Sequence, residues 1–167
     1  MSASDHKAAA PPSVRVFVLT VSDTRTDETD TAGLAICELL KSHGHVVAGK
    51  AIEKDEPARV AELVRQMAAI GDVDAIITTG GTGLTSRDST FEAVDALLSK
   101  RIPGFGELFR MLSYQDIGSA AMMSRACAGT IGRIIIISLP GSEKAVRLAM
   151  DKLVVPELAH LVQQATK

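Results

Sequence analysis

The sequence predicts an α/β protein: a three-layer α/β/α sandwich whose central sheet is mainly parallel and carries an antiparallel hairpin strand. Three observations lead there. Runs of β-branched and apolar residues alternate along the chain with segments of helical apolar spacing, which is the pattern of βα units. One run, Ile134-Ile135-Ile136-Ile137, is apolar at every position, as a strand covered on both faces requires. Strand candidates also pass directly into polar or glycine-rich loops, where ligands collect in such folds.

The elements follow in order. Residues 14–21 are dense in valine and leucine and read as the first strand, with the polar loop 22–30 behind it. Residues 31–43 place Ile36, Leu39 and Leu40 on one helical face, and Gly44 stands where a left-handed cap belongs. A second strand spans 46–52. Asp55-Glu56-Pro57 opens the next helix, continued by Val60, Leu63, Val64, Met67 and Ile70 at helical spacing. A third strand spans 74–79. Ser89-Thr90-Phe91-Glu92 has the form of a capping box and predicts a helix start. Past Pro103-Gly104, the residues Phe105, Leu108, Phe109 and Leu112 mark an amphipathic helix, followed by a short helical or irregular piece at 122–125. Residues 126–131 and 133–139 read as a hairpin around Gly132. Pro140-Gly141-Ser142 then launches a helix carrying Val146, Met150 and Leu153, and a last helical stretch spans 156–164.

The chain has 167 residues, enough for one domain with a substantial core, so residues 14–167 are expected to form a single unit behind a disordered tail at 1–13. A formal net charge of -2 excludes the basic excess of a general nucleic-acid binder. No apolar stretch reaches the length of a membrane span and no signal-peptide core is present, so the expected compartment is the cytoplasm. Cys37 and Cys127 belong to no C-x-x-C pair and read as buried thiols. His6, His43, His45 and His160 have no metal-ligand spacing and read as surface or tail residues. Phe91, Phe105, Phe109 and Tyr114 fall in one region, expected to be mostly core with an oligomer contact as a second role.

The densest chemistry lies in Thr78-Thr79-Gly80-Gly81-Thr82-Gly83-Leu84-Thr85-Ser86-Arg87-Asp88. Glycines at this density let backbone N–H groups approach an anion, so Thr79, Gly80, Gly81, Thr82 and Gly83 form a candidate phosphate cradle. It is neither a Walker A loop nor a dinucleotide fingerprint, because the lysine of the one and the third glycine of the other are absent. Asp88 beside bound phosphate would be repelled by it, and a divalent cation between them resolves the conflict. Asp55 follows the neighbouring strand candidate, so Asp55 and Asp88 together suit shared coordination of Mg²⁺. Ser22 and Asp23 end the first strand, where capping and ligand binding are both open to them. Pro140, Gly141 and Ser142 offer a second anion-facing loop, and Ser124 with Arg125 a hydroxyl and a guanidinium.

Taken together, Val21-Ser22-Asp23, Thr79-Gly80-Gly81-Thr82-Gly83 with Arg87-Asp88, and Leu139-Pro140-Gly141-Ser142 resemble the molybdopterin-binding family of molybdenum cofactor biosynthesis. Asp30-Thr31-Ala32-Gly33 and residues 104–113 are more similar to its MoaB branch than to the MogA branch or to gephyrin-like G domains. The resemblance implies an α/β/α fold, a trimer or hexamer, and adenylation of molybdopterin by Mg-ATP to give adenylyl-molybdopterin and pyrophosphate. It implies that Asp55 and Asp88 are the essential acids, and that the product is handed to a molybdenum-insertion enzyme. The family's Asp-Val-Thr-Pro-Glu pattern stands here as Asp88-Ser89-Thr90-Phe91-Glu92, without the proline. A non-catalytic molybdopterin carrier or scaffold is the alternative.

Overall fold

A computed structural model describes Lys7 and residues 9–167. Residues 1–6 and 8 of the expected tail lie outside the described residues. Ser13 Oγ donates to the Gly44 carbonyl at 2.9 Å, and Lys7 forms an ion pair with Glu157.

Strand β1 (Arg15–Val21) leads into helix α1 (Thr31–Ser42), strand β2 (Val46–Glu53), helix α2 (Pro57–Ile70) and strand β3 (Ala75–Thr79). A short helix α3 (Thr90–Asp95), a two-residue strand β4 (Lys100–Arg101) and helix α4 (Pro103–Ile117) follow, and a 3₁₀ turn (Gly118–Met123) leads to β5 (Cys127–Ile131) and β6 (Ile134–Leu139). Helices α5 (Glu143–Ala149) and α6 (Val155–Thr166) close the chain, joined by a π-turn over Met150–Val154. The sheet order is β2-β1-β3-β6-β5-β4. Strands β2, β1, β3 and β6 are parallel, β5 pairs antiparallel with β6, and β4 pairs antiparallel with β5, so the expected architecture is observed.

Alternation along each strand sends side chains to two cores. Val16, Val18, Ala75, Ile77, Ile135 and Ile137 face one layer with Ile36 and Leu40 of α1, Phe109 of α4 and Leu158 of α6. Phe17, Leu19, Ile76 and Ile136 face the other with Val60 and Val64 of α2 and Val94 of α3. Each fully buried leucine, isoleucine or phenylalanine contributes about 1.5–3 kcal/mol of apolar transfer. The buried run in β6 is thus explained by a helix layer on either side.

Three expectations are corrected. The capping box does not form, because Ser89 makes no side-chain cap bond; its hydroxyl donates across the fold to Asp55 Oδ1, and Glu92 pairs with Arg125 instead. Cys127 is half-buried rather than buried, and burial pushes its thiol up to about 11, so it is no thiolate at neutral pH. Of the expected aromatic core, Phe105 and Phe109 are buried but Tyr114 is exposed.

Candidate functional site

Chain order and sheet order part company at β1: the chain passes from β1 to β2 on one side and then to β3 on the other. The crevice beyond the carboxyl ends at such a reversal is the usual ligand position in open α/β sheets. Here it is a cleft of about 510 Å³, lined by the loops after β1, β2, β3 and β6 and by one side of α4. It gathers Ser22, Asp23, Asp55, Gly80, Gly81, Thr82, Gly83, Asp88, Ser124, Pro140, Gly141 and Ser142 in one place. Thr79 is the expected site residue left outside the lining. It is buried, and its hydroxyl donates to the Pro140 carbonyl at 2.8 Å, tying the glycine loop to the loop after β6.

The two aspartates are held alike. Asp55 is 6% exposed, and its Oδ1 accepts from Ser89 N at 3.2 Å, Ser89 Oγ at 2.9 Å and Thr90 Oγ1 at 3.4 Å. Asp88 Oδ2 accepts from Thr85 N at 3.0 Å and Thr85 Oγ1 at 2.6 Å. In each carboxylate one oxygen is thus fixed by the protein, while Asp55 Oδ2 and Asp88 Oδ1 receive no hydrogen bond among the described residues. The glycines make room for this arrangement. A Cβ on Gly81, whose φ is +68°, would overlap Thr90 Oγ1 and sit 2.7 Å from Asp55 Oδ2. A Cβ on Gly83 would lie 2.6 Å from Asp88 Oδ2.

Charge in the cleft is lopsided: Asp23, Asp55 and Asp88 face it with Arg87, the one cationic side chain among the described lining residues. Arg87 donates from Nε to Asp23 Oδ2 and from Nη2 to Asp23 Oδ1, both at 3.0 Å. That guanidinium holds the Asp23 carboxyl below the usual carboxylate range against the opposing effect of burial, with the Asp55 N–H helping. Two hard-oxygen carboxylates with one unengaged oxygen each fit a divalent cation such as Mg²⁺, which keeps water and substrate oxygens as its other ligands. Among the described residues no three histidine, cysteine or acidic side chains gather as a closed metal site, so such a cation would draw the rest of its shell from phosphate and water.

A family model described as a probable molybdopterin binding domain matches residues 17–160. The chain belongs to this family. Molybdenum cofactor biosynthesis protein B of Bacillus anthracis is 55% identical over 162 residues, covering 96% of each chain. A crystal structure of molybdenum cofactor biosynthesis protein B superposes with a TM-score of 0.91 at 54% identity, covering 94% of this chain and 98% of that one. The molybdopterin biosynthesis enzyme MoaB from Thermus thermophilus superposes with a TM-score of 0.81 at 39% identity, covering 92% and 96%. This chain is therefore a molybdenum cofactor biosynthesis protein with a molybdopterin-binding domain.

Within the molybdopterin-binding domain, several polar candidates do structural work. Ser22 Oγ accepts from Thr24 N at 3.2 Å and Arg25 N at 3.0 Å, and Ser142 Oγ caps α5 by accepting from Ala145 N at 3.2 Å. Ser124 Oγ is different: it is buried at the cleft wall without a hydrogen-bond partner among the described residues. Shut off from solvent as it stands, this orphaned hydroxyl could meet a polar ligand in the cleft only after its side chain rotates. Phe91, standing where the family pattern has proline, lies under the Arg125 guanidinium at 4.9 Å from the ring centroid. Arg87, Phe109, Ser113, Ile117 and Met123 line the cleft without having been singled out as site residues. The i, i+4, i+8 spacing of Phe109, Ser113 and Ile117 is the signal that was there, and it reads equally well as plain core.

Asp30, 1% exposed, is a further polar anchor beside the cleft. Its Oδ2 accepts from Thr20 Oγ1 at 2.7 Å and lies 2.6 Å from Lys50 Nζ, and its Oδ1 accepts from Gly33 N at 3.0 Å. Burial alone would raise its pKa, but Lys50, the Thr20 hydroxyl and the Gly33 N–H together hold it below the usual range. This network roots the loop after β1 at the N-terminus of α1.

Proposed function

We propose that the chain adenylates molybdopterin with Mg-ATP, giving adenylyl-molybdopterin and pyrophosphate. One observation carries this: a cleft with three carboxylates and one guanidinium in which Asp55 and Asp88 each keep an oxygen unengaged by the protein. Two unit charges at about 4 Å repel by roughly 4 kcal/mol at an effective dielectric near 20, so a polyphosphate enters such a site with a cation rather than alone. Held by Asp55 and Asp88, Mg²⁺ would supply neutralisation of the phosphate charge.

In this reading the backbone of Gly80 to Gly83 orients phosphate oxygens, and Ser124 and the loop Pro140 to Ser142 contact the remaining polar edge. The apolar wall of Phe109, Ile117 and Met123 suits the pterin ring. The terminal phosphate of molybdopterin attacks the α-phosphorus of ATP, one P–O bond forms, the α–β bridge breaks, and pyrophosphate leaves. Positioning and charge neutralisation carry such a transfer, so no activated serine or cysteine is needed. Self-association as a trimer or hexamer, supported by the exposed apolar side chains of α4, and handover of the product to a molybdenum-insertion enzyme complete the proposal.

The test is pyrophosphate release by the purified chain supplied with ATP, magnesium and molybdopterin. Asp88→Asn is expected to lower that rate by a factor on the order of 10² or more while leaving the unfolding transition in place. Turnover undiminished by Asp88→Asn sinks the assignment. Pterin binding by the parent chain with no pyrophosphate release identifies a carrier or scaffold instead.

A further inference from the structure

The Asp23–Arg87 pair joins the loop after β1 to the glycine loop, and neither the family match nor the chemistry above gives it a task. Its geometry is that of a two-pronged fork, with both contacts at 3.0 Å. Asp23 Oδ1 also accepts from the Asp55 N–H at 3.2 Å, so the carboxylate is fixed to the backbone beside one of the two candidate metal ligands. Arg87 is less constrained, since its side chain is 59% exposed. An ion pair of that exposure contributes little net stability, and the guanidinium can leave it at small cost. An anion entering the cleft therefore meets three carboxylates and a single guanidinium that one of them already holds.

We propose that Arg87 is a transferable clamp: it rests on Asp23 in the ligand-free chain and passes to a phosphate oxygen of the incoming anion. Asp23 then sets the affinity of the cleft by competing with the ligand for one guanidinium. The proposal rests on the reading that the cleft takes a magnesium-bound polyphosphate. It makes Arg87 a phosphate-binding residue and Asp23, which acts through it, a positioning residue and selectivity filter, because a neutral ligand has no charge with which to displace the carboxylate. A tetrahedral phosphate presents the paired oxygens that the arginine fork matches, whereas a lysine offers a point charge on a shorter reach.

Calorimetric titration of inorganic pyrophosphate with magnesium into the full chain tests it without any pterin. Arg87→Gln is expected to bind about tenfold or more weakly than the parent, with Arg87→Lys between the two. Asp23→Asn keeps an oxygen for the Asp55 N–H and is expected to bind more tightly than the parent. In the double variant that gain disappears, because Asp23 acts through Arg87. Tightening by Asp23→Asn of equal size in both backgrounds makes Asp23 a general repulsive charge and overturns the clamp. Unchanged binding by Arg87→Gln overturns it too, while the polyphosphate reading survives. A parent chain that binds no pyrophosphate overturns both. Unfolding midpoints should agree among the variants, and a collapse confined to Arg87→Gln would make the pair a structural strut.

Discussion

Asp55 and Asp88 divide their oxygens between two tasks, and the division explains why glycine surrounds them. Asp55 Oδ1 gathers the Ser89 and Thr90 donors at the start of α3, which leaves Oδ2 against the backbone of Gly81. Any side chain at Gly81 would occupy that position and would have to adopt a φ of +68° as well. Gly132, at φ +57° in the β5–β6 hairpin, has the same backbone demand with nothing near its missing Cβ. The two positions separate conformation from crowding. Gly132→Ala is expected to cost about 1–2 kcal/mol, the penalty of the left-handed region alone. Gly81→Ala should cost at least about 1 kcal/mol more, because Thr90 and Asp55 must also move. Denaturant midpoints of the two variants measure the difference, and equal losses would mean that the glycine loop is a simple turn.

At the scale of elements, the glycine loop is held from the strand side by Arg125. The guanidinium donates to the Thr82 carbonyl at 3.0 Å and the Gly83 carbonyl at 2.6 Å, pairs with Glu92 and covers Phe91. It thus joins the segment before β5 to the loop after β3 and to α3, adding side-chain contacts to the one backbone bond from Thr90 N–H to the Gly81 carbonyl at 3.0 Å that links the loop to the helix. Arg125→Ala is expected to cost about 2 kcal/mol, from charge-assisted hydrogen bonds and the ring contact. Hydrogen exchange should quicken at residues 82–90 but not in β6. Uniform quickening would make Arg125 an ordinary core contact. The C-terminal helices show a similar dependence of an element on one residue. Pro156 has no N–H for the Lys152 carbonyl and crowds it, and the π-turn over Met150–Val154 opens the helix at that point. The spacing predicts two separate helical stretches, and they join through this widened turn.

For the whole molecule, the cleft and the exposed apolar side chains meet on α4. Leu108, Met111, Tyr114 and Ile117 of α4, with Met122 and Met123 of the 3₁₀ turn, are about half exposed or more, and Ile117 and Met123 also line the cleft. A second copy covering this surface would adjoin the ligand. Met111→Glu is therefore expected to shift sedimentation from the proposed trimer or hexamer toward smaller species, since a charge buried without a partner is strongly disfavoured. An unchanged sedimentation coefficient would place any assembly contact elsewhere. Among the described residues no helix is long and apolar enough to cross a membrane.

Strand and helix periodicity determined the layers, because alternation of two and repeats near 3.6 report burial directly; Ile134–Leu139 and Val60–Ile70 were legible for that reason. The motifs likewise determined the family and most of the loop residues of the cleft, but not the wall that Phe109, Ser113 and Ile117 of α4 provide. Strand β4 was not legible, since two residues carry no period and Lys100 and Arg101 become a strand by pairing with Thr130 and Gly129. Nor was the fate of Ser89 and Glu92, whose capping box is locally sound but loses to Asp55 and Arg125, acceptors and donors far away in the chain. Arg87 and Asp23 show the same limit. Each residue type was visible as a charge, but only the fold brings positions 64 apart within 3.0 Å, where a guanidinium and an anion site compete. A linear sequence displays chemical groups and their local periods; which group meets which is settled by the packing of loops at the switch point of the sheet.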